Sequence, residues 1–479
     1  MSSSIITNVS SLLAQNNLAS SQTSLQTSLQ RLSTGLKINT GADDPSGLIA
    51  SQGLQAEISG INQAVDNSTQ AINVISTADG ALSQVESLLQ SIEGLVVQSA
   101  NTGALSSTEI QANQLQVDSA ISSITRIANS TTFDGLQLLD GGLDFVTSGV
   151  NQSDISGLQI TQANFGNSPT IPVSVKVITS AQTASLKFLA SAVKQPVTLS
   201  IQGNDGVQNI SLASNATASQ IVQAINQDSS STGVQAAFID PTNANSGVVF
   251  TSLGYGSAQY ISVQVQNGGT SAFQTVNSTG ETTGRATGQD AVAEVNGVVT
   301  TGTGLSLAVD TGTLDLNLTL NPDFTNQTTN FTIVGGGATF QLGAEVNAGQ
   351  QVTLGIQSVA AADLGNATVG YLNDLLQGGT ASLANNPGQA SQIIDAAIQQ
   401  VAVLRGQIGA FQANTLETNI NSLNIALENV SSSESDITDA NFAAETSNLT
   451  RAQILVQAGT TVLATANSVP QTILKLLTG

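Results

Sequence analysis

The sequence predicts an α+β multidomain chain in which the N- and C-terminal helices pair into coiled-coil or helical-bundle domains, with a β-rich insertion between them. Three observations predict it. Both ends carry apolar residues at coiled-coil spacing. Long amphipathic patterns flank the centre on both sides. The middle alternates with a period of two, the signature of half-buried strands. A chain of 479 residues is too long for one compact core, so about two to four domains are expected.

At the N-terminal end the heptad positions are Gln15, Leu18, Gln22, Leu25, Leu29, Leu32 and Leu36. Alternating steps of 3 and 4 keep one side of a helix facing a partner. A second helix spans 44–101, with Ile58, Ile61, Val65, Ile72, Ile75, Leu82, Val85, Leu89, Ile92 and Val96 on one stripe. Asp43 or Asp44 before Pro45 provides its start, because Asp caps well and Pro is tolerated at the first helical position. At ~1.5 Å per residue this helix is roughly 80 Å long, which suits a bundle or a fibre. Ser106 and Glu109 form a capping box for a third helix reaching about Asn129, with Ile110, Val117, Ile121 and Ile124 inward. Phe133-Asp134-Gly135-Leu136 then reads as a hairpin.

From about 170 to 360 alternating segments appear, such as 197–201 and 261–265. Turn signals at Asn204-Asp205-Gly206, Asn267-Gly268-Gly269 and Asn296-Gly297 separate them. Thr217 to Asn226 is a short helix. The stretch from Val309 to Leu320 alternates almost without fault through Leu314, Leu316, Leu318 and Leu320. Gly335-Gly336-Gly337 lacks the following Lys-Ser/Thr of a phosphate loop and reads as a turn. Helix returns after Asn386-Pro387-Gly388, with Ile394, Ala397, Val401, Leu404, Ile408 and Phe411 in one stripe. Leu416, Ile420, Leu423, Leu427 and Val430 continue it in a shifted phase, a stutter. Ser431-Ser432-Ser433 loosens the chain. The last heptad positions are Leu455, Gly459, Val462, Ala466, Val469, Ile473 and Leu476, and Pro470 predicts a kink or a break near Val469.

Composition narrows the function. Cys and His are absent, which removes disulfides, thiolate metal sites, cysteine nucleophiles and the usual general base. No enzyme activity, cofactor or metal is expected. A net charge of −22 with ten basic residues makes nucleic-acid binding an unattractive reading. No apolar run is long enough for membrane insertion. The beginning lacks the charged n-region and apolar h-region of a secretory signal. Only 9% of residues are charged, and residues 1–42 and 446–479 contain no Asp or Glu. Those ends carry only Arg31, Lys37, Arg451 and Lys475. Ends so unlike the middle suggest that they pair with each other or with further copies. Arg31 and Lys37 are read as neighbour contacts rather than a solvated face.

The run Leu29-Gln30-Arg31-Leu32-Ser33-Thr34-Gly35-Leu36-Lys37-Ile38-Asn39, followed by Asp43-Asp44-Pro45-Ser46-Gly47, resembles the N-terminal signature of bacterial flagellin. The tail from Ala452-Gln453-Ile454-Leu455 to Leu476-Leu477 is similar to that family's C-terminal helix. Residues 294–320 resemble its small β motif. The resemblance implies a subunit that self-assembles into the helical flagellar filament used for swimming. It implies an extracellular location, reached through the flagellar secretion channel without a cleaved signal. Implied partners are many further copies, an export apparatus with a secretion chaperone, and hook-associated junction and cap proteins. A hook–filament junction protein is the rival reading. The implied layout is a polymerisation helix at 1–43, inner helical parts at 44–170 and 363–433, an outer β-rich region at 171–362 with the β motif near 290–345, and a second polymerisation helix at 434–479. Implied subunit-packing residues are Leu18, Leu25, Leu29, Arg31, Leu32, Leu36, Leu455, Val462, Val469, Ile473 and Leu476.

Overall fold

The structure, a computed structural model, describes residues 7–478 except Thr102, Asn167 and Thr270; the side chains of Pro470 and of 473–478 lie outside the described set. Its helices are α1 (Val9–Thr34), α2 (Pro45–Ser99), α3 (Ser107–Ser130), α4 (Ala218–Gln227), the single turn α5 (Ser229–Thr232), α6 (Pro387–Ala410), α7 (Thr418–Thr438) and α8 (Phe442–Thr478). With a strand-rich middle, the chain is α+β. It forms two compact units: one of Met1–Thr69, Leu342–Val346 and Leu416–Gly479, the other of Gln70–Gln341 and Asn347–Thr415.

Local chemistry starts the helices where the sequence predicts. Asp44 Oδ1 accepts from the Gly47 N–H at 3.0 Å, capping α2. The capping box of α3 is complete: the Glu109 N–H donates to Ser106 Oγ, and the Ser106 N–H donates to Glu109 Oε2 at 2.7 Å. Asn386 caps α6 by accepting from the Gln389 N–H, with Pro387 in the first turn.

In the second unit, α2 buries Ala71, Ile75, Ala78, Leu82, Val85, Leu89, Ile92 and Val96. Every step is 3 or 4. Ala390, Ile394, Ala397, Val401, Leu404 and Ile408 do the same on α6, and Phe411 just after it continues the stripe. Arg405 of α6 joins the two helices, donating from Nε to Asp79 at 2.8 Å and from Nη1 to Glu86. These two carboxylates, one heptad apart on α2, hold the guanidinium above its usual pKa.

The stutter has a structural form. A π-helical turn, Phe411–Glu417, joins α6 to α7. It supplies the five-residue step from Phe411 to Leu416, the next buried residue. The serine run does not loosen the chain: α7 continues to Thr438. Ser433 Oγ donates back to the Asn429 carbonyl, the self-satisfaction that lets serine stay helical.

The strands follow one another as β1 (Thr132–Phe133), β2 (Leu136–Gln137), β3 (Phe145–Ser148), β4 (Ile155–Ala163), β5 (Ile171–Thr179), β6 (Thr183–Phe188), β7 (Val197–Gln202), β8 (Val207–Leu212), β9 (Val234–Phe238), β10 (Val248–Tyr255), β11 (Tyr260–Asn267) and β12 (Arg285–Thr287). They continue as β13 (Val292–Val295), β14 (Val298–Thr301), β15 (Ser306–Asp310), β16 (Leu314–Leu320), β17 (Thr328–Gly336), β18 (Ala338–Gln341), β19 (Gln351–Leu354), β20 (Gly365–Asn366) and β21 (Gly370–Tyr371). The hairpins β1–β2 and β13–β14 turn on Asp134-Gly135 and Asn296-Gly297, each pair with positive φ, as a primed turn requires.

Two five-stranded sheets, ordered β14-β13-β5-β17-β3 and β15-β16-β4-β19-β18, enclose one core. Pairing within these two sheets therefore begins with β3 and β4, before residue 171. The stretch 309–320 is a hairpin: Val309 faces Leu316 across a turn in which the Thr311 N–H donates to the Leu314 carbonyl. Gly336 closes β17, where a side chain would strike the Asp144 carbonyl. A second core lies between sheets β6-β10-β9 and β12-β11-β7-β8 and helix α4. All of that second module is inserted between β5 and β13, which are neighbours in one sheet.

Candidate assembly interface

The first unit is built on the pairing of α1 with α8, whose contact of Asn8 with Ala466 joins residues 458 positions apart. The pairing is antiparallel. Asn8 meets Ala466, Leu18 meets Gly459 and Arg31 meets Glu445.

Burial locates the seam. On α1 it runs through Ser11, Ala14, Leu18, Ser21, Leu25, Ser28 and Leu32; on α8 through Glu445, Leu449, Ala452, Val456, Gly459, Leu463 and Ala466. Both are heptad rows, with small residues recurring between the large ones from Ala14 to Leu32 on α1 and from Leu449 to Ala466 on α8. Small residues bring the backbones close: a Cβ added to Gly459 would lie 3.1 Å from Leu18 Cδ1. The many hydroxyls of α1 do not compete, because Ser21, Thr23, Ser24 and Thr27 each donate to a carbonyl of their own helix.

Both ends of the pair are tied. Ser11 Oγ donates to Asn467 Oδ1 at 2.7 Å, beside the Asn8 contact. At the other end α1 stops at Gly35, whose φ of 74° suits glycine and whose N–H donates to the Arg31 carbonyl. The Lys37 N–H then donates to the Thr438 carbonyl, and the Ala440 N–H to the Gly35 carbonyl. Arg31 Nη1 stands 4.0 Å from Glu445 Oε2. The segment leading into α2 is pinned by Asp43, which accepts from the Asn39 and Thr40 N–H groups. The Thr40 N–H first of all holds the Asp43 carboxyl below its ordinary pKa; the Gly47 N–H does the same for Asp44.

The named packing residues divide into three groups. Leu18, Leu25 and Leu32 lie in the seam, half-buried. Leu29, Leu36, Leu455, Val462 and Val469 are exposed, with Val462 57% and Leu455 50% open. Arg31 is half-buried against Glu445 of its own chain. Ile473 and Leu476 lie outside the described side chains. The expected rows thus share Leu18, Leu25, Leu32, Gly459 and Ala466 with the seam and otherwise stand off it, because small residues take the alternate positions. Asn8, Ser11, Ser28, Glu445 and Ala452 were missed; a second row of small residues at heptad spacing was the available signal.

Helix α8 runs on through Pro470, so of the expected kink or break near Val469 the break does not occur. The open apolar residues Val9, Leu12, Leu13 and Leu29 on α1, with Ile454, Leu455, Val462 and Val469 on α8, make a surface suited to packing against protein. Among the described residues no group of His, Cys, Asp and Glu could hold a metal ion, and no helix is long and apolar enough to cross a membrane.

Comparison with known proteins gives a consistent result. Residues 5–143 match the family described as the bacterial flagellin N-terminal helical region, and 391–477 the C-terminal helical region. The flagellin hook IN motif matches 198–254, which lies across β7–β10 and not at the 294–320 segment expected to carry such a motif. The chain is 31% identical to the flagellin of Salmonella typhimurium over 515 aligned positions, covering 100% of both chains. It is 30% identical to the B-type flagellin of Pseudomonas aeruginosa, again over 100% of both. Among solved structures, the FliC of Burkholderia pseudomallei aligns with 71% of this chain and 98% of its own at 14% identity. Its TM-score of 0.25 is too low to bear on the fold.

Proposed function

This chain belongs to the bacterial flagellins and is a subunit of the flagellar filament, and on that premise we propose that the exposed apolar rows of α1 and α8 are the surfaces through which copies pack. Leu29, Leu36, Leu455, Val462 and Val469 make contacts between subunits. Leu18, Leu25 and Leu32 hold the two helices of one subunit together. Arg31 orients the pair through Glu445, and Ile473 and Leu476 continue the packing row by spacing. In this reading 1–43 and 434–479 are the polymerisation segments, 44–170 and 363–433 the inner helical parts, and 171–362 the outer part.

The observation that carries the proposal is the standing of large apolar side chains in the open on a pair of helices nearly free of acids. Acid-free ends let many copies stack about an axis without like-charge repulsion, in a chain whose net charge is −22. A head-to-tail contact that does not close generates a helical polymer. The chain performs no catalysis and needs no cofactor; the absence of His and Cys supports this. It works outside the cell, carried there by the flagellar export apparatus and a secretion chaperone, and its polymer ends on junction and cap proteins.

Val462→Asp tests the assignment. Filaments, scored by electron microscopy and sedimentation after salt-induced assembly, are expected to disappear while the melting of the soluble chain is unchanged. Assembly at the parent's level would remove these rows from the interface.

A further inference from the structure

Proline inside a helix leaves one carbonyl without its donor, because residue i has no N–H to give to residue i−4. For Pro470 that carbonyl belongs to Ala466. Ala466 is only 9% exposed, so water cannot readily replace the donor. The vacancy is filled from the far end of the chain: Asn8 Nδ2 donates to the Ala466 carbonyl at 2.8 Å. The same amide caps α1, its Oδ1 accepting from the Ser11 N–H at 3.0 Å. Both halves of one side chain are used, which also fixes which way the amide points.

We infer that Asn8 and Pro470 are a register-setting device of the α1–α8 pair at its Asn8 end, adding to the Ser11–Asn467 bond there and to the Arg31–Glu445 and Gly35–Ala440 contacts at the other end. The seam alone does not fix the register. Ala452, Gly459 and Ala466 repeat every seven residues, as do Leu18, Leu25 and Leu32, so a slip of one heptad presents nearly the same small and large residues to each other. Main-chain carbonyls in the interior of α8 are otherwise occupied by their own i+4 donors. Proline makes one of them different, and Asn8 reads it. A slipped pair leaves a buried carbonyl unpaired and the Asn8 amide without this acceptor. A single polar residue that fixes register in a repetitive apolar seam is an established device of coiled coils. Here the polar group finds a backbone vacancy in place of a second side chain.

The cysteine-free chain permits a direct test. A Cβ at Gly459 would lie 3.6 Å from Leu18 Cβ, within the range of a disulfide, about 3.5–4.5 Å. Leu18→Cys with Gly459→Cys reports the native register, and Leu18→Cys with Ala452→Cys a slip of one heptad. Cross-linking is read on the soluble chain and in assembled filaments, where intrachain links still run as monomer on a denaturing gel. The native-to-slipped ratio is expected to fall about 3- to 10-fold, the worth of one hydrogen bond, in Asn8→Ser, which keeps a helix cap. Asn8→Asp, which keeps the acceptor and loses the donor, should do the same. Pro470→Ala restores the missing N–H and makes the amide redundant, so it should lower the ratio by a similar factor. The double variant should fall no further than either single one. Independent, multiplying effects, or a ratio unmoved by Pro470→Ala, would overturn the inference. Because the soluble chain is read as well, a failure to assemble is distinct from a failure of register.

Discussion

The helix pair α1–α8 and the helices α2 and α6 of the second unit use the same seven-residue spacing with different occupants. Along α2 and α6 the seam positions are mostly Ile, Leu and Val, and Ile75, Leu82, Leu89, Ile394 and Val401 are fully buried. Along α1 and α8 every other seam position is Ser, Ala, Gly or Glu, and the large residues between them are only half-buried. Burying one large apolar side chain is worth about 1.5–3 kcal/mol, and a Ser or Gly contributes almost none of it. The first pattern makes a core that holds by itself. The second brings two backbones close and leaves the larger side chains facing outward. An isolated helix with an unpartnered stripe is marginal, so spacing shows where a helix pairs and the size of the occupants shows whether it needs neighbours.

The comparison breaks most visibly under truncation. Leu89→Ala should cost about 2–5 kcal/mol and lower the melting temperature of the soluble chain, whereas Leu25→Ala should barely move it. Equal losses would mean that the terminal pair is as self-sufficient as the second unit. Helicity sharpens the same point: far-UV circular dichroism should show a gain of helix when soluble chains polymerise, as a terminal pair only partly formed in the soluble chain completes on binding. An unchanged signal would mean that α1 and α8 are complete before assembly. A smaller effect is expected at Arg405. Arg405→Met removes both pairings to α2, but these groups are roughly a third exposed, so the loss should be about 1 kcal/mol and shrink in high salt. Denaturant titration at two ionic strengths measures it.

The smallest effects concern pH and take opposite signs. Asp43 and Asp44, beside the terminal pair, have carboxyls held below 3.8 by the Thr40 and Gly47 N–H groups. Their contribution is complete above the unfolded value and is lost as pH falls through the lower folded one, so Asp44→Asn should weaken the chain mainly above about pH 4. Asp144, in the second unit, is shifted upward by burial, and one N–H bond from Phe145 opposes it. A raised folded pKa favours folding below the unfolded value and loses that advantage as pH rises through the folded one. Asp144→Asn, which keeps an acceptor for Phe145, should therefore stabilise at neutral pH and flatten the acid limb. Thermal melts between pH 3 and 7 separate the two cases.

Much of this architecture was legible in the sequence. Asp44, Ser106 with Glu109, and Asn386-Pro387 announced helix starts because caps are local chemistry. Asn296-Gly297 announced its turn for the same reason. The shift from Phe411 to Leu416 announced a phase change, though not its π-helical form. The seam of the terminal pair was half legible. Leu18, Leu25 and Leu32 stand out, but Ser21 and Ser28 look like surface until the partner is in place. Pro470 suggested, for a comparable reason, a break that does not occur. Its compensation comes from Asn8, and no local window contains both. Val309 and Leu316 fall in one alternating stretch because a tight turn at Thr311 breaks the alternation only briefly.

The nesting of the strands has a consequence for how such a chain can change. Thr179 at the end of β5 and Val292 at the start of β13 are register partners, so everything between them leaves and re-enters the sheet at facing residues. The module of β6 to β12 hangs from two adjacent points, and its core is separate from the core of the sheets that carry it. To the rest of the molecule it is a cargo with a standard fitting. A foreign domain whose own termini lie close together could be exchanged for it, giving a fibre that displays one copy of the guest per subunit.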